Sequence, residues 1–157
     1  MHRHRSPLRL LTVLAVAVGL AASLAAGALA DPAPPKTLTL TPEGNKMAYA
    51  TTEVTVQAGR QVTIVFENTA TSPAMQHNVV VLNTAEDEAV KRVGQAAISA
   101  SNYVPDDPAV LAATDIAKPG ETTEVTFTAP DTPGEYTYVC TYPGHYVSMQ
   151  GTMIVEE

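Results

Sequence analysis

Read as apolar and polar positions in turn, most of the chain predicts short strands. Leu38 and Leu40 alternate with threonines over Thr37–Thr41, and Val54 and Val56 do so from Glu53 to Gln57, where Ala58-Gly59 marks a turn. Val62, Ile64 and Phe66 punctuate Gln61–Glu67, and Val125 and Phe127 punctuate Thr122–Thr128. Tyr136, Tyr138 and Cys140 share one parity from Glu135 onward, and Gly151–Val155 closes the pattern. A period of two sends alternate side chains to a buried face and to solvent. His77–Leu82 differs, being nearly all apolar as in a strand covered on both faces. Strands this short, separated by Gly, Pro and Asn turns, predict an antiparallel sandwich.

One stretch follows the helical period instead. Thr84 with Asp87 three residues on has the form of a capping box, and Glu86, Asp87 and Glu88 suit a helix N-terminus. Ala89, Val93, Ala97 and Ala100 then recur at steps of three and four, with Lys91 and Arg92 on the outer side. A helix is predicted near 85–100, followed by a loop marked by Pro105 and Pro108. The chain has no repeat of solenoid length.

The first thirty residues obey neither pattern. His2, Arg3, His4, Arg5 and Arg9 form a basic start, and Leu10 to Ala30 is an almost unbroken Leu/Val/Ala run. It ends on Ala28-Leu29-Ala30, so residues 1–30 read as an export signal peptide cleaved after Ala30, with Ala28 the nearby alternative. An uncleaved anchor is the competing reading, since about 20 apolar residues span a bilayer. Residues 31–45 form a Pro-rich linker and the first strand, and 46–157 the main domain.

Cleavage changes the charge. The whole chain carries −7; beyond Ala30 six Lys and Arg face all sixteen Asp and Glu, leaving −10. That acidity argues against nucleic acid as a partner, and for solubility or basic partners. A monomer with no membrane insertion after cleavage is expected.

Cys140 is the only cysteine, and an exported domain normally pairs its cysteines or omits them. With His2 and His4 in the leader, His77 and His145 are the only histidines left. Cys140-Thr-Tyr-Pro-Gly-His145-Tyr-Val-Ser-Met149 places a thiol, an imidazole and a thioether on one loop, with Pro143-Gly144 to turn it. His77 opens a separate strand and can complete the set. Two imidazoles, one thiolate and a weak thioether form the donor set of electron-transfer copper. A structural zinc site would rarely use a thioether. Among competing sulfurs, Met75 shares the strand parity of His77 and reads as a hydrophobic rim. Met153, mid-strand among apolar neighbours, reads as core.

From about Lys46 to Val155 the chain resembles the azurin and auracyanin branch of the cupredoxins, the blue type 1 copper proteins. The matching strings are Met47-Ala-Tyr49, Gln76-His77-Asn78, Cys140-Thr-Tyr-Pro-Gly-His145 and Met149-Gln-Gly151-Thr152. The C-x₄-H-x₃-M spacing is that of azurins; auracyanins carry one more residue before the Met. The resemblance implies an all-β, eight-stranded Greek-key cupredoxin sandwich with one inserted helix, holding one copper ion near one end. It also implies a weak axial carbonyl from Gln76 opposite Met149. Asn78 and Thr141 would tie the ligand loops together, and the Asn78 and Tyr142 amides would point at the thiolate. Electrons would enter and leave at His145, whose ring edge is expected to reach the surface while His77 stays enclosed. The chain departs from azurins in lacking a second cysteine for a disulfide, and in having Val79 where Trp often stands. Neither departure touches the ligands.

The expected function is one-electron transfer outside the cytoplasm, with redox proteins such as a c-type cytochrome or a respiratory complex as partners. Met75, Pro143, Gly144, Tyr146 and Val147 form the expected docking patch around His145. The alternatives are a membrane-tethered copper subunit of a respiratory complex, a copper carrier, and a metal-free adhesion sandwich. An enzyme is disfavoured, because the chain has no Gly-rich phosphate loop, no nucleophile elbow and no histidine to spare.

Overall fold

Alternation along the chain becomes two sheets facing each other in a computed structural model that describes residues 34–157. The strands are β1 (Lys36–Leu40), β2 (Glu53–Gln57), β3 (Gln61–Glu67), β4 (Val80–Leu82), β5 (Val110–Ala113), β6 (Thr122–Thr128), β7 (Gly134–Val139) and β8 (Gln150–Glu156). One α-helix, α1 (Asp87–Ala96), lies between β4 and β5. The sheets run β1-β3-β6 and β2-β8-β7-β4-β5. The β1–β3 and β2–β8 pairs are parallel and the others antiparallel, in a Greek-key sandwich. Residues 1–30, and with them the expected cleavage site, lie outside the described residues. Among the described residues no helix is long and apolar enough to cross a membrane.

The apolar parity found in the sequence faces inward. Val54, Val56, Val62, Ile64, Phe66, Phe127, Tyr138, Met153 and Val155 are buried in one cluster between the sheets. Each such aliphatic or aromatic side chain contributes roughly 1.5–3 kcal/mol by leaving water. The unbroken run leading through β4 has a matching cause. Val79 and Val81 point into this cluster, while Val80 and Leu82 join a second one with Val139, Ala109 and the Ala89, Val90 and Val93 face of α1. The helix therefore covers the outer face of the strand that follows His77.

Two local readings change. Thr84 does not cap α1: Glu86 is the N-cap, with no side-chain bond, and the Thr84 hydroxyl accepts the Glu86 amide at 3.2 Å. A hydroxyl bonding two residues on builds a turn before the helix, in competition with a cap. Past Pro105 and Pro108, the expected loop contains β5, an edge strand that pairs β4 across a bulge between Val81 and Leu82. Its Val-Leu-Ala-Ala run is half-buried throughout, so it offers no alternation to read. Arg92 on α1 grips Asp107 just ahead of it with bonds of 2.8 and 3.1 Å.

Candidate metal centre

Strand parity delivers the first two ligand candidates. His77, Val79 and Val81 share one parity, as do Tyr136, Tyr138 and Cys140, and both sets face the inter-sheet core. β4 and β7 are paired through Val80–Val139 and Val81–Tyr138. Side chains continue that pairing beyond the strands: the Thr141 amide donates to Asn78 Oδ1 at 2.9 Å and Asn78 Nδ2 donates to Thr141 Oγ1 at 2.9 Å. The loops bearing His77 and Cys140 are thereby held together.

His145 arrives by a turn. Gly144 has φ 84°, a left-handed conformation costly for other residues, and it opens a 3₁₀ turn, His145–Val147. The His145 amide donates to the Tyr142 carbonyl at 2.9 Å, and the Met149 amide to the His145 carbonyl at 2.8 Å. The Cys140 amide donates to the Met149 carbonyl at 3.0 Å, closing the loop on itself. Met149 is fully buried and joined by its backbone to both Cys140 and His145.

Three donor atoms converge. His77 Nδ1 lies 3.0 Å from His145 Nδ1, and Cys140 Sγ lies 3.8 and 3.6 Å from those two nitrogens. A point equidistant from all three is about 2.0 Å from each, close to the bond lengths transition-metal ions make to imidazole and thiolate. All three residues are buried. The Asn78 and Tyr142 amides hydrogen-bond the Cys140 sulfur. His77 Nε2 is buried with no hydrogen-bond partner among the described residues, and the ring packs edge-on against Phe66 at 6.3 Å. The residues fit a small soft-to-borderline cation: two neutral nitrogens and one sulfur aimed at one point, away from water.

Burial sets the charge of the metal-free site. It lowers His77 to about 4, with His145 adding a smaller push, and also lowers His145. It raises the Cys140 thiol to about 11, against the smaller opposing effect of the two amides. Near neutral pH the metal-free centre therefore holds two neutral imidazoles and a protonated thiol.

The remaining predicted residues form a surround. Gln76 and Met75 are half-buried beside His77, Pro143 and Gly144 are exposed, Tyr146 is half-buried, and Val147 is 71% exposed. Met47, 45% exposed, adjoins them through its carbonyl, which accepts the Ser148 hydroxyl at 2.9 Å. His145 keeps 4% exposure and His77 none, so the expected order holds while the His145 edge is barely open. Sequence reasoning missed two supports. Buried Asn68 donates to the carbonyls of Met75 and Ala117, both at 2.8 Å, fixing the approach to His77. Buried Tyr49 donates to the Asn78 carbonyl at 2.7 Å. A polar residue just past the end of β3, and the Met47-Ala-Tyr49 string, were the available signals.

Two facing sheets with His, Cys and His donors at one end define a copper-binding β-sandwich. Residues 36–156 match the family of copper binding proteins described as the plastocyanin/azurin family, and the chain belongs to it. It is 43% identical over 124 residues to auracyanin-A of Chloroflexus aurantiacus, covering 77% of this chain and 75% of that one. It is 38% identical over 120 residues to azurin iso-2 of Methylomonas sp. strain J, covering 73% and 93% respectively. The solved structure of auracyanin A, a "blue" copper protein from Chloroflexus aurantiacus, superposes with a TM-score of 0.70. Its sequence is 42% identical, over 78% of this chain and all of that one.

The site binds one copper ion, so loading is coupled to the thiol. Adding Cu(II) at pH 7 is expected to release about one proton per ion, from Cys140, because both imidazoles are already neutral. Titration calorimetry in buffers of different ionisation enthalpy measures it. Release near zero would mean that Cys140 does not lose its proton to the metal.

Proposed function

We propose that this chain is an exported electron carrier that holds one type 1 copper on His77, Cys140 and His145, with Met149 as axial donor. The observation that carries this reading is the convergence of three donor atoms, from the segment leading into β4 and the loop leaving β7, 3.0 to 3.8 Å apart, in a member of a copper-binding family. Copper held there supplies a one-electron Cu(I)/Cu(II) couple.

The chain's own residues suit that task. Asn78 and Thr141 lock the two ligand loops, so the donors stay in place whichever charge they face. The Asn78 and Tyr142 amides stabilise negative charge on sulfur. Met149, buried and bonded through its backbone to Cys140 and His145, and weakly the Gln76 carbonyl, would supply further donors to the ion. Export follows from the leader read in residues 1–30, with the periplasmic or cell-surface side as destination. The exposed Val147, with Met47, Pro143 and Gly144 beside the His145 loop, suits brief contact with a redox protein. A c-type cytochrome or a respiratory complex fits that description. Every histidine beyond residue 30 belongs to the proposed copper set, so none is left over for acid–base catalysis.

The test is direct. Metal-free protein titrated with Cu(II) should turn intensely blue with one equivalent; a colourless or multi-copper product would overturn the reading. Met149→Leu should keep the colour and raise the reduction potential, because losing a weak axial donor penalises Cu(II) more than Cu(I). Voltammetry reads the shift. An unchanged potential would transfer the axial role away from Met149.

A further inference from the structure

We infer that the segment inserted between β4 and β5 clamps the copper-ligand loop on both flanks of His145, with Gly94 and Tyr103 as positioning residues. The clamp deepens the copper reading, on which only its redox consequence rests.

On one flank stands a glycine inside a helix. Gly94 lies in α1, where glycine is the worst helix former after proline. Its reason is room. A Cβ at Gly94 would collide with Cγ, Cδ1 and Cδ2 of Tyr146, so the Tyr146 ring is seated directly on the helix backbone. Tyr146 follows His145, packs on the cluster beneath α1, and its carbonyl accepts Gln150 Nε2 at 2.6 Å.

On the other flank stands an unusual backbone. Asn102 and Tyr103 both have φ 54°, in a short 3₁₀ turn, Ser101–Tyr103. Asparagine tolerates this; an aromatic residue rarely adopts it unless its surroundings impose it. Asn102 is bolted by Nδ2 to Asp115 Oδ1 at 2.6 Å. The carbonyl of Tyr103 then accepts the Thr141 hydroxyl at 2.6 Å. Its ring meets that of Tyr142 edge-on at 5.2 Å, and the Tyr142 ring lies 5.0 Å from that of His145.

The loop from Cys140 to Met149 is therefore held at Thr141–Tyr142 and at Tyr146, with His145 between. Neither grip touches a donor atom. Their effect is to keep the His145 imidazole where Cys140 and His77 need it, with or without metal, so that little rearrangement accompanies an electron.

Gly94→Ala separates this from an ordinary helix effect, because helix propensity alone favours alanine. In metal-free protein, exchange of the His145 and Met149 amides should accelerate about tenfold. In copper-loaded protein, electron self-exchange should slow about fivefold. Tyr146→Ala should do the same, and the double variant should add little to either single one. Tyr103→Ala should loosen the other flank, and Tyr103→Phe should behave as the native chain. Unchanged amide exchange in both Gly94→Ala and Tyr103→Ala, or fully additive effects in the Gly94 and Tyr146 pair, would overturn the clamp. Protein that took up no copper yet showed these amide changes would uphold the clamp and overturn the copper reading.

Discussion

Cys140→Ser should fold, bind copper weakly and lose the blue colour altogether. Intense absorption requires charge transfer from a thiolate to Cu(II), and Cys140 is the only cysteine in the chain. Serine is nearly isosteric, so the buried pocket and the amides of Asn78 and Tyr142 keep an acceptor in place. Its oxygen, however, is a harder donor that stays protonated under ordinary conditions, and soft Cu(I) gains little from it. Copper affinity should fall by on the order of a hundredfold or more, as expected when a ligand itself is removed and not merely a supporting residue. Absorbance and metal content after dialysis measure both effects. A variant that stayed blue would show that the colour does not come from a thiolate, since no other cysteine remains, and would sink the ligand assignment. Circular dichroism matching the native chain excludes misfolding as the cause of a loss.

Val147→Lys is expected to slow electron exchange with the physiological partner by on the order of tenfold, with colour and potential nearly unchanged. Val147 is 71% exposed, two residues beyond His145, and adjoins the exposed Met47 across the Ser148 bond. An apolar group so open to water beside a ligand loop suits contact that forms and breaks quickly. A lysine there must surrender hydration when the partner seats. Beyond Ala30 the chain carries −10, so its partner's matching face is expected to be basic, and the new charge repels it. Val147 is 71% exposed while the three donors are buried, so the substitution leaves the centre's spectrum alone. Stopped-flow reduction, repeated at several salt concentrations, gives the rate. A rate indifferent to Val147 but sensitive to changes at Glu86, Asp87 or Glu88 would move docking to the start of α1.

Elements with a clean two-residue period could be read from sequence with their bounds. Glu53–Gln57, Gln61–Glu67 and Thr122–Thr128 are strands over those same residues. Their alternation records a single buried face, which is a property of each strand alone. β5 escaped because it is an edge strand whose Val-Leu-Ala-Ala run owes its conformation to pairing with β4. The donors were legible for a different reason: so few histidines and cysteines remained that chemistry left little choice. What holds them was mostly hidden. Asn78–Thr141 is invisible without knowing that β4 and β7 are neighbours, and the Gly94 seat depends on a ring more than fifty residues away. Tyr103 gave no warning at all, since its backbone conformation is imposed by what surrounds it. Local pattern reports local environment; the supports of this centre are contacts between distant segments.

The two-sided burial of β4 has a consequence for lifetime. His77 leads through Val79 into β4, and Val79, Val80, Val81 and Leu82 are all fully enclosed, with α1 over one face and the opposite sheet over the other. β4 also sits inside its sheet, between β7 and β5, where end-fraying cannot reach it. Small local openings therefore do not expose this part of the centre; only cooperative unfolding of the sandwich does. The expected behaviour is a metal that leaves on the clock of global unfolding. Its escape to a chelator in dilute denaturant should follow the protein's own unfolding rate, changing little with chelator concentration.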